Sequence, residues 1–114
     1  MIIRALDDVE AIFYAEGVKK RVVIGPKEVA PNFAMRVFEV SSGQRTMWHA
    51  HDFEHEVLIL DGEGALIDGE GGTTQVKPMN VIFIPANEKH CLKNTGSDTL
   101  RFVCVVPTWG EDSL

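Results

Sequence analysis

Cysteine is scarce in this chain of 114 residues. Cys91 and Cys104 are too few for a disulfide scaffold and too far apart for a redox pair. Positive charge is short as well: 11 Lys and Arg face 17 Asp and Glu, for a formal net charge of −6. That balance argues against general nucleic-acid or anionic-membrane binding, which needs a basic surface. No apolar run approaches the roughly 20 residues of a membrane span. The opening stretch, MIIRALDDVEAIF, is acidic where a secretion signal would be basic, so the expected location is cytoplasmic. There is no GxGxxG, P-loop or nucleophile elbow, and no catalytic Cys/His pair is recognisable. No repeat or low-complexity linker divides the chain, and a single domain over residues 1–114 is expected.

The content is that of a globular protein, with 45% hydrophobic and 25% charged residues. Short β-rich runs dominate, at 21–24, 33–40, 46–51, 56–60, 64–68, 73–77, 81–84, 90–94 and 100–106. Gly-Pro at 25–26, Asp-Gly at 61–62 and 68–69 and Asn-Thr-Gly at 94–96 punctuate them with turn chemistry. Strands this short and evenly spaced indicate an all-β sandwich or barrel. Only residues 6–13 read as helical, with Asp7 or Asp8 as N-cap. Lys19, Lys20 and Arg21 read as the solvated lead-in to a strand.

Alternation orients the last strand. Arg101 faces out, so Leu100, Phe102, Cys104 and Val106 face in. Val103 and Val105 share the outer face of Arg101 although they are apolar, so a second layer or a partner subunit should cover them. Trp48 should face opposite to His49, towards such a layer. Arg36 and Arg45 could each attract a carboxylate substrate, but a surface ion pair is the favoured expectation for both.

The histidines carry the chemistry. There are four, His49, His51, His55 and His90. His49 and His51 sit two apart, so on a strand both imidazoles project to one face. His55 follows as the chain enters an apolar strand, and a hairpin-rich barrel can bring His90 beside them. Neutral imidazoles in this number suit a divalent Mn, Fe, Ni, Cu or Zn ion.

Gly43-x5-His49-x-His51-x3-His55-x6-Gly62 resembles the first cupin motif, and Pro85-x-Asn87-x2-His90-x3-Asn94 resembles the second. The flanking segments Lys20-Arg21-Val22-Val23-Ile24-Gly25 and Phe102-Val103-Cys104 are similar to small manganese-binding cupins of thermophiles. The resemblance implies a single-domain double-stranded β-helix, the jelly-roll barrel. It also implies one divalent metal on His49, His51, His55 and His90, with manganese first. A small-molecule substrate follows from the resemblance, in an oxygenase-type or isomerase-like reaction or, alternatively, in non-catalytic binding of a small ligand or metal. Ile59, Phe102 and Cys104 are the candidate pocket residues, with Val57 expected as an apolar wall by the parity it and Ile59 share with His55, although Phe102 reads equally as core filler and Cys104 first as a small buried hydrophobe.

Three positions depart from the family pattern. The third ligand slot holds His55 where the family has Glu, and Glu56 should point away. Four neutral ligands would leave the full +2 charge on the ion, a stronger Lewis acid than a site with a carboxylate. Asn87 replaces a glycine but tolerates left-handed backbone. Met79 replaces another glycine and implies a turn of different shape. A homodimer is also expected, with the region of about residues 1–30 packed on the partner.

Overall fold

A computed structural model describes residues 1–111. Nine strands run in the order β1 (Ile12–Ala15), β2 (Val18–Ile24), β3 (Phe33–Val40), β4 (His55–Asp61), β5 (Gly64–Asp68), β6 (Thr73–Val76), β7 (Val81–Ile84), β8 (His90–Asn94) and β9 (Leu100–Pro107). One helical turn, α1 (Thr108–Glu111), follows β9. A six-stranded sheet has the order β1-β2-β3-β9-β4-β7, and a three-stranded sheet has the order β6-β5-β8. Every pairing is antiparallel. The core cluster draws on both sheets, with Ile59, Leu100 and Val106 from the first packed with Val76 and Leu92 from the second. This is the jelly-roll barrel expected from the strand spacing. No helix among the described residues is long and apolar enough to cross a membrane.

The strands follow from alternation. In β9, Leu100, Phe102, Cys104 and Val106 are buried, while Arg101, Val103 and Val105 are half-buried, which is the expected orientation. In β4, His55, Val57 and Ile59 are buried while Glu56 is exposed.

The N-terminal region differs from expectation. Residues 6–13 do not form a helix: a three-residue 3-10 turn, Leu6–Asp8, is capped by Ala5 without a side-chain bond, and β1 follows. Glu16-Gly17 closes a β1–β2 hairpin, with Ala15 opposite Val18 and Gly17 at φ 70°. The β-branched and aromatic run Ile12-Phe13-Tyr14 before that turn outweighs the aspartates. The basic cluster also lies inside β2. Lys19 is exposed, but Lys20 is only 4% exposed and Arg21 bonds Glu39.

In the single chain, β2 pairs with β3 rather than with a neighbour. Ile2, Ile3 and Leu6 lie along an outer groove with Val37, Leu60 and Val103, so the N-terminal residues partly cover the outer valine face.

Candidate metal centre

Residues 46–51 do not form a regular strand. They run beside β8 through isolated bridges, Arg45 to Lys93 and His49 to His90. The Leu92 amide donates to the Thr46 hydroxyl at 2.9 Å, so a side chain takes the place of a ladder carbonyl and interrupts the pairing. His49 and His90 exchange both backbone bonds, at 3.2 and 3.0 Å, which sets their rings side by side. His55 comes from the first position of β4 in the opposite sheet. The Asn87 amide donates to the His51 carbonyl and ties the β7–β8 loop to the histidine segment. Asn87 has φ 67°, the left-handed conformation expected of it.

The four imidazoles form one ring cluster. Centroids lie 4.5 Å apart for His49–His51, 4.7 Å for His49–His90, 5.1 Å for His55–His90 and 5.3 Å for His51–His55. His49, His55 and His90 each offer a nitrogen within 4.8 Å of the others. His51 is not a member of that tight group; its ring stacks on Phe53, with centroids 4.7 Å apart and planes 9° from parallel.

The donor set suits a divalent metal on two further observations. Nε2 of His51 and of His55 are buried without a hydrogen-bond partner among the described residues, a costly arrangement unless something binds there. The opposite nitrogens are held. His90 Nδ1 lies 2.9 Å from the Glu88 carbonyl, which can only accept, so Nδ1 carries the proton and Nε2 keeps its lone pair. His55 Nδ1 lies 3.3 Å from Cys104 Sγ, which also receives an N–H from Arg36.

Burial keeps these rings neutral. Desolvation, then the neighbouring His90, pushes His55 down to about 3 and His49 down to about 4. His51 is lowered by the same two causes in the same order. Neutral imidazole is the form that ligates.

A cavity of about 30 Å³, room for about two waters, opens among the rings. Phe102, Cys104 and Val57 line it. Ile59 does not: it lies fully buried in the core, and Val57, two residues nearer His55, takes the wall position. Burial pushes the Cys104 thiol up. Trp48 is half-buried, with the Lys89 ammonium 5.5 Å from its ring centroid.

Arg36 overturns its surface assignment. It is 1% exposed, lines the cavity and bonds Glu111 at 2.9 Å. Its parity with Phe38 and Val40 would have predicted an inward direction, but apolar Met35 and Val37 on either side blurred the alternation. Tyr14 and Thr46 also line the cavity and went unnoticed in the sequence. Met79 has a φ of 73°, the left-handed backbone that glycine adopts without strain.

Comparison with known proteins agrees with this architecture. The cupin domain family matches residues 36–106. The polyketide cyclase RemF of Streptomyces resistomycificus superposes with a TM-score of 0.87 at 33% identity, covering 95% of this chain and 80% of that one. A predicted oxalate decarboxylase of Thermotoga maritima superposes with a TM-score of 0.78 at 25% identity, covering 95% and 99%. An oxalate-binding protein of Thermotoga maritima is 37% identical over 59 residues, 51% of this chain. That match spans about half the length of the curated relative, at 48%. With the family matched across most of its length and its histidines gathered inside a jelly-roll barrel, the chain belongs to the cupin family.

Proposed function

We propose that this chain is a metal-dependent enzyme acting on a small organic molecule with oxygen donors, its ion held by His49, His51, His55 and His90. The observation that carries the reading is the pair of buried, partnerless Nε2 atoms on His51 and His55 beside two further imidazoles. His51 would join the set by a turn of its ring off Phe53. Manganese is the proposed ion, with Zn, Fe, Ni and Cu as competitors for the same nitrogens. Bound there, a divalent ion supplies Lewis acidity, undiminished by any carboxylate ligand.

The chain's own residues define the rest. Val57 and Phe102 form apolar walls of the cavity. Cys104 and Glu88 hold the far nitrogens of His55 and His90 and so aim their lone pairs. The likeness to a polyketide cyclase supports a substrate rich in carbonyl or enol oxygens. An oxygenase-type reaction belongs to the same proposal, and oxygen uptake by metal-loaded protein, measured against anaerobic turnover of diketones and phenols, separates the two chemistries. The likeness to an oxalate-binding protein favours a second reading, a non-catalytic binder of small acids. Ligand binding without turnover of any of these compounds would select it.

Elemental analysis should find about one divalent ion per chain. His51→Ala should weaken metal affinity at least tenfold, since losing even a supporting partner costs about 10–100-fold. Wild-type protein that takes up none of these ions defeats the proposal. A homodimer through the outer face of Val37, Leu60 and Val103 is proposed alongside. Light scattering should give twice the 12.6 kDa of one chain, and a monomer mass rejects it.

A further inference from the structure

Three charged side chains converge inside the barrel, next to the histidines but apart from them. Arg36 enters from β3 and Lys20 from β2, with 1% and 4% exposure. Both reach one carboxylate. Arg36 Nη1 lies 2.9 Å from Glu111 Oε1, and Lys20 Nζ lies 2.9 Å from Glu111 Oε2. Two buried cations thus share one anion, and no other carboxylate among the described residues pairs with either. Arg36 also donates to the Cys104 carbonyl and to Sγ, both at 3.3 Å, and Sγ touches His55. Arg36 therefore borders the cavity that His49, His55 and His90 line, and Glu111 joins it to Lys20.

Glu111 is the one member of this group that is not on a strand. It lies in α1, a turn described over Thr108–Glu111 that follows the last strand. Such a turn has almost no stability of its own. It is held by the two ion pairs, by the Thr108 amide on the Asn32 carbonyl at 3.1 Å, and by Phe53. A Cβ on Gly110 would sit 2.9 Å from the Phe53 ring, and Trp109 meets the same ring edge-on at 5.3 Å while remaining 60% exposed. The cavity holds about two waters, so an organic ligand gains room if a neighbouring element moves. Strands β3, β4 and β9 are hydrogen-bonded on both sides within their sheet, and α1 lies outside both sheets.

We propose that Arg36 and Lys20 form an anion-binding subsite for an organic carboxylate, and that Glu111 fills it as an internal competitor until such a ligand displaces it. This rests on the proposed function only in treating the neighbouring cavity as a place where organic molecules bind. Displacement swings Thr108–Glu111 outward, uncovers both cations and enlarges the cavity from that side.

The test uses the metal-free chain and propionate, which matches the end of a glutamate side chain, with neutral propionamide at equal ionic strength as control. Propionate should speed amide hydrogen exchange over residues 108–111 in the wild type, and propionamide should not. By calorimetry, Glu111→Ala should bind propionate about tenfold more tightly than wild type if the strap is open in about one chain in ten. Lys20→Gln should weaken propionate binding, and Arg36→Gln should abolish it. Unchanged exchange in the wild type, or equal affinity in Glu111→Ala, overturns the proposal and leaves Glu111 a permanent ion-pair partner. If Glu111→Ala fails to fold, the wild-type exchange experiment decides alone. Because no metal is present, a chain that never takes up an ion could still show displacement, and a chain that takes up metal without displacement loses only this inference.

Discussion

Met79 sits in a turn over residues 77–80 that has the type II pattern, with Pro78 at the second position and the Asn80 amide on the Lys77 carbonyl. The third position of that turn needs positive φ, which costs a side-chain-bearing residue about 1–2 kcal/mol. Glycine removes that cost but loses about 0.5–1 kcal/mol to the freer unfolded chain. Met79 is 73% exposed and contributes little packing. Met79→Gly should therefore raise stability by about 0.5–1 kcal/mol in urea unfolding, and a destabilised variant would show that the methionine side chain has a role of its own. At this scale the histidines were the most legible part of the sequence, because two-residue spacing and strand parity are local properties. The burial of His55 and the exposure of Glu56 follow from the same parity. Arg36 was misread because its partner Glu111 lies 75 residues away, and no local pattern announces a buried ion pair.

Turns decide where the strands end. Gly62, between β4 and β5, has φ 86°, and a Cβ there would stand 2.6 Å from the Thr99 carbonyl oxygen. Gly62→Ala combines a left-handed penalty of about 1–2 kcal/mol with a clash against backbone that cannot rotate away. A loss of about 2–4 kcal/mol is expected in thermal or urea unfolding, within the range of cavity and strain mutations. A loss below about 1 kcal/mol would mean that the β4–β5 turn yields easily. The same level of organisation separates what the sequence disclosed from what it hid. Strands β3, β5, β7 and β8 match their expected bounds because alternation and flanking turn residues agree there. The β1–β2 hairpin was missed because Asp7 and Asp8 imitate a helix cap while the decisive turn, Glu16-Gly17, comes later. The irregularity of residues 46–51 was hidden because it depends on one hydroxyl, that of Thr46, meeting an amide 46 positions on.

Across the whole molecule, the histidine cluster makes stability depend on acidity. In the unfolded chain a histidine titrates near 6.5. Folding lowers His55 to about 3 and His49 to about 4, chiefly by burial. Between those values and about 6.5 the unfolded chain binds more protons than the folded one, so stability increases with pH through that window and is lost as pH falls through it. The metal-free protein should show a falling urea midpoint from pH 7 to pH 5, whereas midpoints that stay level would mean that the rings are solvated. The neutrality of the rings also governs the charge of the assembled protein. The formal charge of −6 already counts every histidine as neutral. A divalent ion captured at neutral pH then displaces no proton from the buried nitrogens of His49, His51 and His55, and its +2 adds to the formal charge of the chain, −6 + 2 = −4. Metal loading would thus slow migration towards the anode in native electrophoresis, and the heat of capture would be the same in buffers of different ionisation enthalpy.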